Sequence, residues 1–360
     1  MLKALNPNLK QTALVFTLCA LLIACGKRTP PVPPVERVLQ KPSIGATQRG
    51  NRILISWTTP PRNAGSGSVL NIDRMDIFRL AEPLDSPVVL TEEEFSAKST
   101  LIGTVQIAES DFGRKEMVFE DPLSFAGQKA RLRYAARYAN KSGQKAVYSN
   151  FILIEPAARV AGAPTAPALE LSQEQILVKW TSPGANVDGS TPPNILGYNI
   201  YRADDKPFRK LNAAPVTVTE FADRFFDFGR KYRYSVRAVS LGTNAEPVES
   251  LDSPTAEIEP RDTFAPAAPA ALTIAAAPNQ ISVFFASNVE TDVAGYNVYR
   301  STDRGLPLDK WQLLTTSPIT SNTYQDGSVE AGKSYFYYVT AIDRTGNVSL
   351  PSEIVGDTVP

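Results

Sequence analysis

Histidine is missing from all 360 residues. Its absence removes the usual general base, the commonest metal ligand and any Ser-His-Asp arrangement together. Cysteine is almost missing: only Cys19 and Cys25 occur. The body of the chain therefore has no disulfide, no paired-cysteine zinc spacing and no thiol nucleophile. No glycine-rich phosphate loop is present. Net charge is also lacking, with 37 basic against 37 acidic residues, so no strong field recruits nucleic acid. Long apolar runs are lacking as well. The longest, Ala13 to Ala24, has 12 residues, whereas a membrane-spanning helix needs roughly 20. Carboxylates alone can hydrolyse glycosides, but Glu92, Glu93 and Glu94 are adjacent, point in different directions and read as a solvated charge run. The expectation is a chain that is not an enzyme, with no catalytic residue, no metal and no cofactor.

What the chain does have begins with an address. Lys3 and Lys10 precede the apolar run, the order of a secretory signal segment. The run ends Leu22-Ile23-Ala24-Cys25, which resembles the lipobox of bacterial lipoproteins. That resemblance implies a signal peptide over 1–24, lipid on Cys25 and a membrane as the first partner. The other reading is an ordinary signal peptide with a chance cysteine. Cleavage there would leave 35 basic and 37 acidic residues. Gly26 follows the cysteine where an aspartate tends to retain Gram-negative lipoproteins at the inner membrane, so the resemblance points to the outer membrane of such a cell. Residues 25–41 carry Pro30-Pro31-Val32-Pro33-Pro34 and form a polyproline tether that can reach roughly 50 Å. Lys27 and Arg28 either meet anionic headgroups or belong to a plain solvated spacer.

One punctuation mark recurs three times. It is an aromatic, any residue, an aspartate, then a glycine eight residues after the aromatic: Phe119, Asp121, Gly127; Phe221, Asp223, Gly229; Tyr324, Asp326, Gly332. The aspartates are 102 and 103 residues apart, a period suited to whole domains rather than to a solenoid. Aspartate in every copy reads as a turn former. Period-two alternation marks half-buried strands. It runs through Ile53, Ile55, Trp57; Ile176, Val178, Trp180; and Ile281, Val283, Phe285. It returns on a long strand after each glycine, with Ala130, Leu132, Tyr134 and Ala136; Tyr232, Tyr234, Val236 and Ala238; and Tyr335, Tyr337, Val339 and Ala341 pointing inward. A Ser-rich turn and a last strand close each copy.

The early Trp, Gly197-Tyr198-Asn199-Ile200-Tyr201-Arg202 and Gly295-Tyr296-Asn297-Val298-Tyr299-Arg300, and Tyr-x-Tyr-x-Val-x-Ala on the late strand resemble fibronectin type III domains. Asp343-Arg344-Thr345-Gly346-Asn347 is similar to the F–G hairpin of bacterial members. The resemblance implies an all-β chain of three tandem immunoglobulin-like sandwiches in an elongated array, over 42–158, 163–262 and 265–360. It covers nearly everything after Pro42, and the first copy, Arg74-Met75-Asp76-Ile77-Phe78-Arg79, is the weakest. The third copy departs by using Phe285 for Trp, which changes core volume but not topology. Arg79 to Phe119 spans 40 residues against 19 and 24 in the other copies, so the first module carries an insertion at about 80–118. Within it, Thr91-Glu92-Glu93-Glu94 has the spacing of a capping box that starts a short helix. The insertion is either functional or a tolerated excursion. Proline-rich junctions (Pro156 to Pro167, Pro260 to Pro269) predict semi-rigid links.

One surface stands out. Equal spacing aligns Arg131, Arg233 and Phe336, then Arg133, Ser235 and Tyr338, on the outward face, beside Phe78, Tyr201 and Tyr299. The first two modules are expected to set an aromatic against arginine. The third is expected to expose Tyr299, Phe336 and Tyr338 together, either as a binding patch for a sugar ring or a protein, or as ordinary cross-strand pairing. Three functions follow. The first is a lipid-anchored, non-enzymatic spacer and protein-interaction rod of the cell envelope. The second is a carbohydrate- or peptidoglycan-binding accessory. The third is a glycan-active enzyme using the insertion.

Overall fold

The computed structural model describes residues 36–37, 41–64, 68–113, 115–125 and 129–360. The signal segment, Cys25, nearly all of the tether and Gly127 lie outside them. Two compact units emerge, Met1–Ala158 with Gly242–Glu246, and Arg159–Leu241 with Pro247–Pro360. The first unit holds one sandwich core and the second holds two.

The third module shows the pattern most plainly. Strands Thr273–Ala277, Gln280–Phe284 and Thr323–Asp326 form one antiparallel sheet. Gln312–Leu313, Val293–Ser301, Ser334–Asp343 and Val355–Thr358 form the other. The second module repeats the three with Ala168–Leu171, Ile176–Lys179 and Glu220–Asp223. Its second sheet runs Arg209–Lys210, Gly197–Ala203, Tyr232–Leu241, and both Pro247–Glu249 and Ala256–Ile258 pair with this last strand. The first module pairs Ile44–Arg49, Arg52–Thr58 and Glu116–Pro122, opposite Thr100–Gln106, Arg74–Glu82, Arg131–Ala139 and Ile152–Ile154. Three strands facing four is the fibronectin type III-like sandwich that the sequence pattern predicts.

The alternating residues meet between the sheets. Ile53, Ile55 and Trp57 pack on Leu132, Tyr134 and Ala136. Ile176, Val178 and Trp180 pack on Tyr232, Tyr234, Val236 and Ala238, and Ile281, Val283 and Phe285 pack on Tyr335, Tyr337, Val339 and Ala341. Ala130, expected inward, is only half-buried. Each large apolar side chain so buried contributes about 1.5–3 kcal/mol, which lets a module of this size stand without a disulfide. Phe285 substitutes for Trp without changing the packing scheme: it meets Tyr296 edge-on at 4.7 Å, as Trp180 meets Tyr198 at 5.2 Å. The repeated glycine has a conformational reason. Gly229 and Gly332 sit at φ 77° and 78°, where a side chain is strained, and their N–H groups donate to the carbonyls of Pro260 and Val359.

The insertion is structured. Helix Glu92–Lys98 starts at the predicted capping box: Thr91 Oγ1 accepts from the Glu94 N–H, and Glu94 Oε2 accepts from the Thr91 N–H. Its Phe95 is fully buried with Phe78, Ala135 and Tyr148, on the outer side of the four-stranded sheet. The rest of the insertion lengthens the edge strand from the two residues seen in the other modules to seven, Thr100–Gln106.

Candidate functional site

Each module builds the same buried tie between its sheets. In the first, Arg79 Nη1 donates to both carboxylate oxygens of Asp121 at 2.9 Å, and the Tyr134 hydroxyl donates to Asp121 Oδ2 at 2.6 Å. In the second, Arg202 and Tyr234 reach Asp223 Oδ2 at 2.5 and 2.8 Å. In the third, Arg300 and Tyr337 reach Asp326 Oδ2 at 2.8 and 2.9 Å. The turn role predicted for the aspartates is present too, since Oδ1 of Asp223 and Asp326 accepts from the backbone N–H of Phe225 and Ser328. Sequence reading missed the rest of the tie. Its signals were the arginine after an aromatic in Phe78-Arg79, Tyr201-Arg202 and Tyr299-Arg300, and the second tyrosine of Tyr-x-Tyr in the second and third modules, where the first has Leu132-x-Tyr134. Burial and the neighbouring aspartate push all three tyrosine hydroxyls well above the ordinary phenol range, so they are donors, not nucleophiles. Burial opposes ionisation of Asp326, but hydrogen bonds from Ser328 and Tyr337 and the charge of Arg300 hold its carboxyl below the usual range.

The outer faces of the four-stranded sheets differ. In the third module Tyr299 stacks on Tyr338, with centroids 4.6 Å apart and planes 10° from parallel. Trp311 then lies over Tyr338 at 5.1 Å, and the Tyr338 hydroxyl donates to the Leu308 carbonyl at 3.1 Å. Tyr338 is 5% exposed. The expected open patch of three aromatics is therefore covered at Tyr338, because the loop after Ser301 folds the turn Leu308–Lys310 and Trp311 across it, while Tyr299 stays half-buried. Phe336 is half-buried opposite Gly356, where an added Cβ would lie 2.2 Å from the ring. Burial, with Tyr299 and Asp309 nearby, pushes the Tyr338 hydroxyl up to about 12. Tyr338→Ala is accordingly expected to lower stability by about 3–5 kcal/mol, read as an earlier chemical-denaturation midpoint. An unchanged midpoint would return Tyr338 to the role of an exposed contact.

In the second module Arg237 lies 4.0 Å from the Tyr201 ring and pairs with Glu249 at 2.8 Å and Asp252 at 2.7 Å. In the first, Arg137 lies over both Phe78 and Tyr148, 4.9 and 4.5 Å from their centroids, while the two rings meet each other edge-on at 5.3 Å. Arginine beside an aromatic is as expected, but the residues are Arg137 and Arg237. Arg131 and Arg133 turn to Glu82, Arg133 also lying 5.7 Å from the Phe151 ring, and Arg233 lies 5.4 Å from Phe208. An open depression of about 470 Å³ next to Glu82 is lined by Leu84, Asp85 and Lys129 among others.

Among the described residues, Asp262, Asp292 and Asp343 are the group able to hold a cation, with carboxylate oxygens within 4.8 Å of one another. Asp343 Oδ1 already accepts from the N–H groups of Thr345, Gly346 and Asn347. Gln173 donates to Asp292 at 2.7 Å.

No protein-family profile matches the chain. Exoglucanase B of Cellulomonas fimi is 28% identical over 204 residues, 54% of this chain and 17% of that protein. Chitinase A1 of Niallia circulans is 26% identical over 201 residues, 54% and 25% of the two. Amylopullulanase of Thermoanaerobacterium thermosulfurigenes is 33% identical over 90 residues, 25% and 4%. The chain thus spans a quarter or less of the curated relatives it matches. Among solved structures, the FN1–FN3 domains of chicken CNTN1 share 15% identity over 89% of this chain and 98% of theirs, with a TM-score of 0.27. An Fn3-like protein from Clostridium thermocellum shares 30% identity over 27% of this chain and 96% of its own, with a TM-score of 0.23. Fold and sheet order make this an all-β protein of tandem fibronectin type III-like sandwiches. Part of its length is similar to parts of much longer glycosidases.

Proposed function

We propose that the chain is a non-enzymatic lipoprotein of the bacterial cell envelope, anchored through Cys25, whose sandwiches act as spacer and protein-interaction modules near polysaccharide. The observation that carries this reading is what the polar side chains are used for. The aspartates, arginines and tyrosines repeated in every module are tied to one another between the sheets, and so hold structure rather than reacting groups. The similarity to an exoglucanase, a chitinase and an amylopullulanase supports work alongside glycans. Cover over Tyr338 counts against the aromatic platform as the sugar grip and so ranks carbohydrate binding second. A glycan-active enzyme using the insertion ranks third.

The test uses the full chain in a Gram-negative host. Metabolic labelling with an alkyne fatty acid is expected to mark the protein and to place it in the outer-membrane fraction. Cys25→Ser is expected to lose both. Pull-down from envelope extract is expected to return polypeptides, while insoluble cellulose, chitin and peptidoglycan sacculi release the protein on washing. Label on the Cys25→Ser protein would end the anchoring claim. Firm retention on a polysaccharide would put the carbohydrate reading first.

A further inference from the structure

The repeats allow the same position to be compared within one chain. Ser149, Ser253 and Ser352 are equivalent: each hydroxyl accepts from the long strand, at Ala136, Val236 and Val339. Ala146 and Ser250 are equivalent too, donating to the carbonyls of Tyr138 and Ala238. Counting from these anchors, Arg137 corresponds to Arg237, Tyr148 to Asp252 and Lys145 to Glu249. The second module therefore gives its outward arginine two carboxylates, and the first module has replaced both, one by an aromatic and one by a second cation.

Arg137 is left without an acceptor. Its Nε is buried and makes no hydrogen bond, and it forms no ion pair among the described residues. Asp76, its cross-strand neighbour, is committed to Arg74 and Thr104. Glu92, on the insertion helix, faces the Tyr148 N–H at 3.5 Å. The guanidinium is nonetheless held in place. It lies over the edge-on pair Phe78 and Tyr148, and Tyr148 is in turn fixed edge-on against Phe95 at 5.2 Å and by its hydroxyl to Ser96 at 3.4 Å. A planar fork already ordered against two rings loses little freedom when it receives a bidentate carboxylate. A buried donor with no acceptor is the kind of group that calls for a missing partner.

We infer that Arg137, with Lys145 at the position of Glu249, is a docking site for an acidic polypeptide, whose glutamate and aspartate side chains bring to Arg137 from outside the carboxylates that Glu249 and Asp252 bring to Arg237. The insertion then has a purpose, because its helix holds the ring that holds the arginine. This deepens the protein-interaction part of the proposed function and rests on that reading for its choice of a polypeptide.

The probe is a labelled peptide, Pro-Val-Glu-Ser-Leu-Asp-Ser-Pro, copying residues 247–254, titrated by fluorescence anisotropy with the full chain at low salt. Saturable binding is expected, about tenfold weaker with Arg137→Gln and abolished when the peptide acids are replaced by Gln and Asn. Lys145→Glu, at an exposed position, is expected to supply the missing acid internally and to exclude the peptide, with an unchanged circular-dichroism spectrum. This second variant decides the matter if Arg137→Gln fails to fold. Peptide binding that survives Lys145→Glu, or that ignores Arg137→Gln in a folded protein, overturns the site. Polygalacturonate competing better than the peptide at equal carboxylate concentration overturns the polypeptide as its occupant. Either result leaves whole-chain capture of protein partners, and hence the broader reading, to be judged by its own pull-down.

Discussion

Replacing Asp223 with alanine is expected to cost the second module about 3–5 kcal/mol, because it strands a buried guanidinium. The Arg202 side chain is 4% exposed, and Asp223 is its ion-pair partner. Tyr234 loses its hydrogen-bond acceptor in the same change. The equivalent substitution at Asp121 is expected to cost less, since the Arg79 side chain is 34% exposed and water can take over part of the charge. Asp326 falls between them, with Arg300 at 12%. Chemical denaturation of the three single variants, followed by a separate probe in each module because a multi-domain chain does not obey a single two-state transition, measures that order. A double replacement, Arg202→Met with Asp223→Leu, is expected to recover most of the loss, since an apolar pair of similar volume removes the unpaired charge. Equal losses at all three aspartates would mean that burial of the arginine does not set the cost.

The same tie shows what the sequence revealed and what it hid. Alternation along Ile53, Ile55 and Trp57 identifies a buried face because strand geometry allows only two faces. Capping at Thr91 and Glu94 was legible because its geometry is local. Asp223 was legible only as a turn residue, since its local contact to the Phe225 N–H follows from spacing. Its contacts to Arg202 and Tyr234 join three strands from two sheets and have no fixed separation in the chain. Tyr338 failed for a related reason. Period two correctly turns it away from the sandwich core, but says nothing about what a loop does above that face. Trp311, 27 residues earlier, supplies the cover. The likeness between Arg137 and Arg237 was hidden because equal spacing from the repeated glycine sets the first module's long strand two residues out of register: Tyr134 follows Asp121 by 13 residues, whereas Tyr234 and Tyr337 follow their aspartates by 11, so Arg133, not Arg131, matches Arg233.

Acid is expected to loosen the insertion of the first module before it unfolds the whole. Arg131 and Arg133 converge on Glu82, with Nη2 of each at 2.6 and 2.9 Å from Oε1. The same two guanidiniums hold the carbonyls of Ser86, Pro87 and Val88, so one carboxylate balances the latch that closes the start of the insertion. Burial alone would push the Glu82 carboxyl up, but the hydrogen bonds and charges of Arg133 and Arg131 more than offset it and hold it below its ordinary value of 4.5. The folded state therefore binds the Glu82 proton less readily than the unfolded chain does. The stability this supplies is complete above 4.5 and drains away as pH falls below that value through the folded pKa. Glu82→Gln removes the charge at every pH and is expected to cost about 3–5 kcal/mol near neutrality, as for any broken buried pair. Urea denaturation of both proteins from about pH 7 to about pH 3 is expected to show the gap between them narrowing only in the acid range. Hydrogen exchange over residues 83–98 is expected to quicken over the same range, ahead of the sandwich core. A gap that stays constant down to the lowest pH would mean that the two arginines are held by the carbonyls and the rings around them, with Glu82 a passenger.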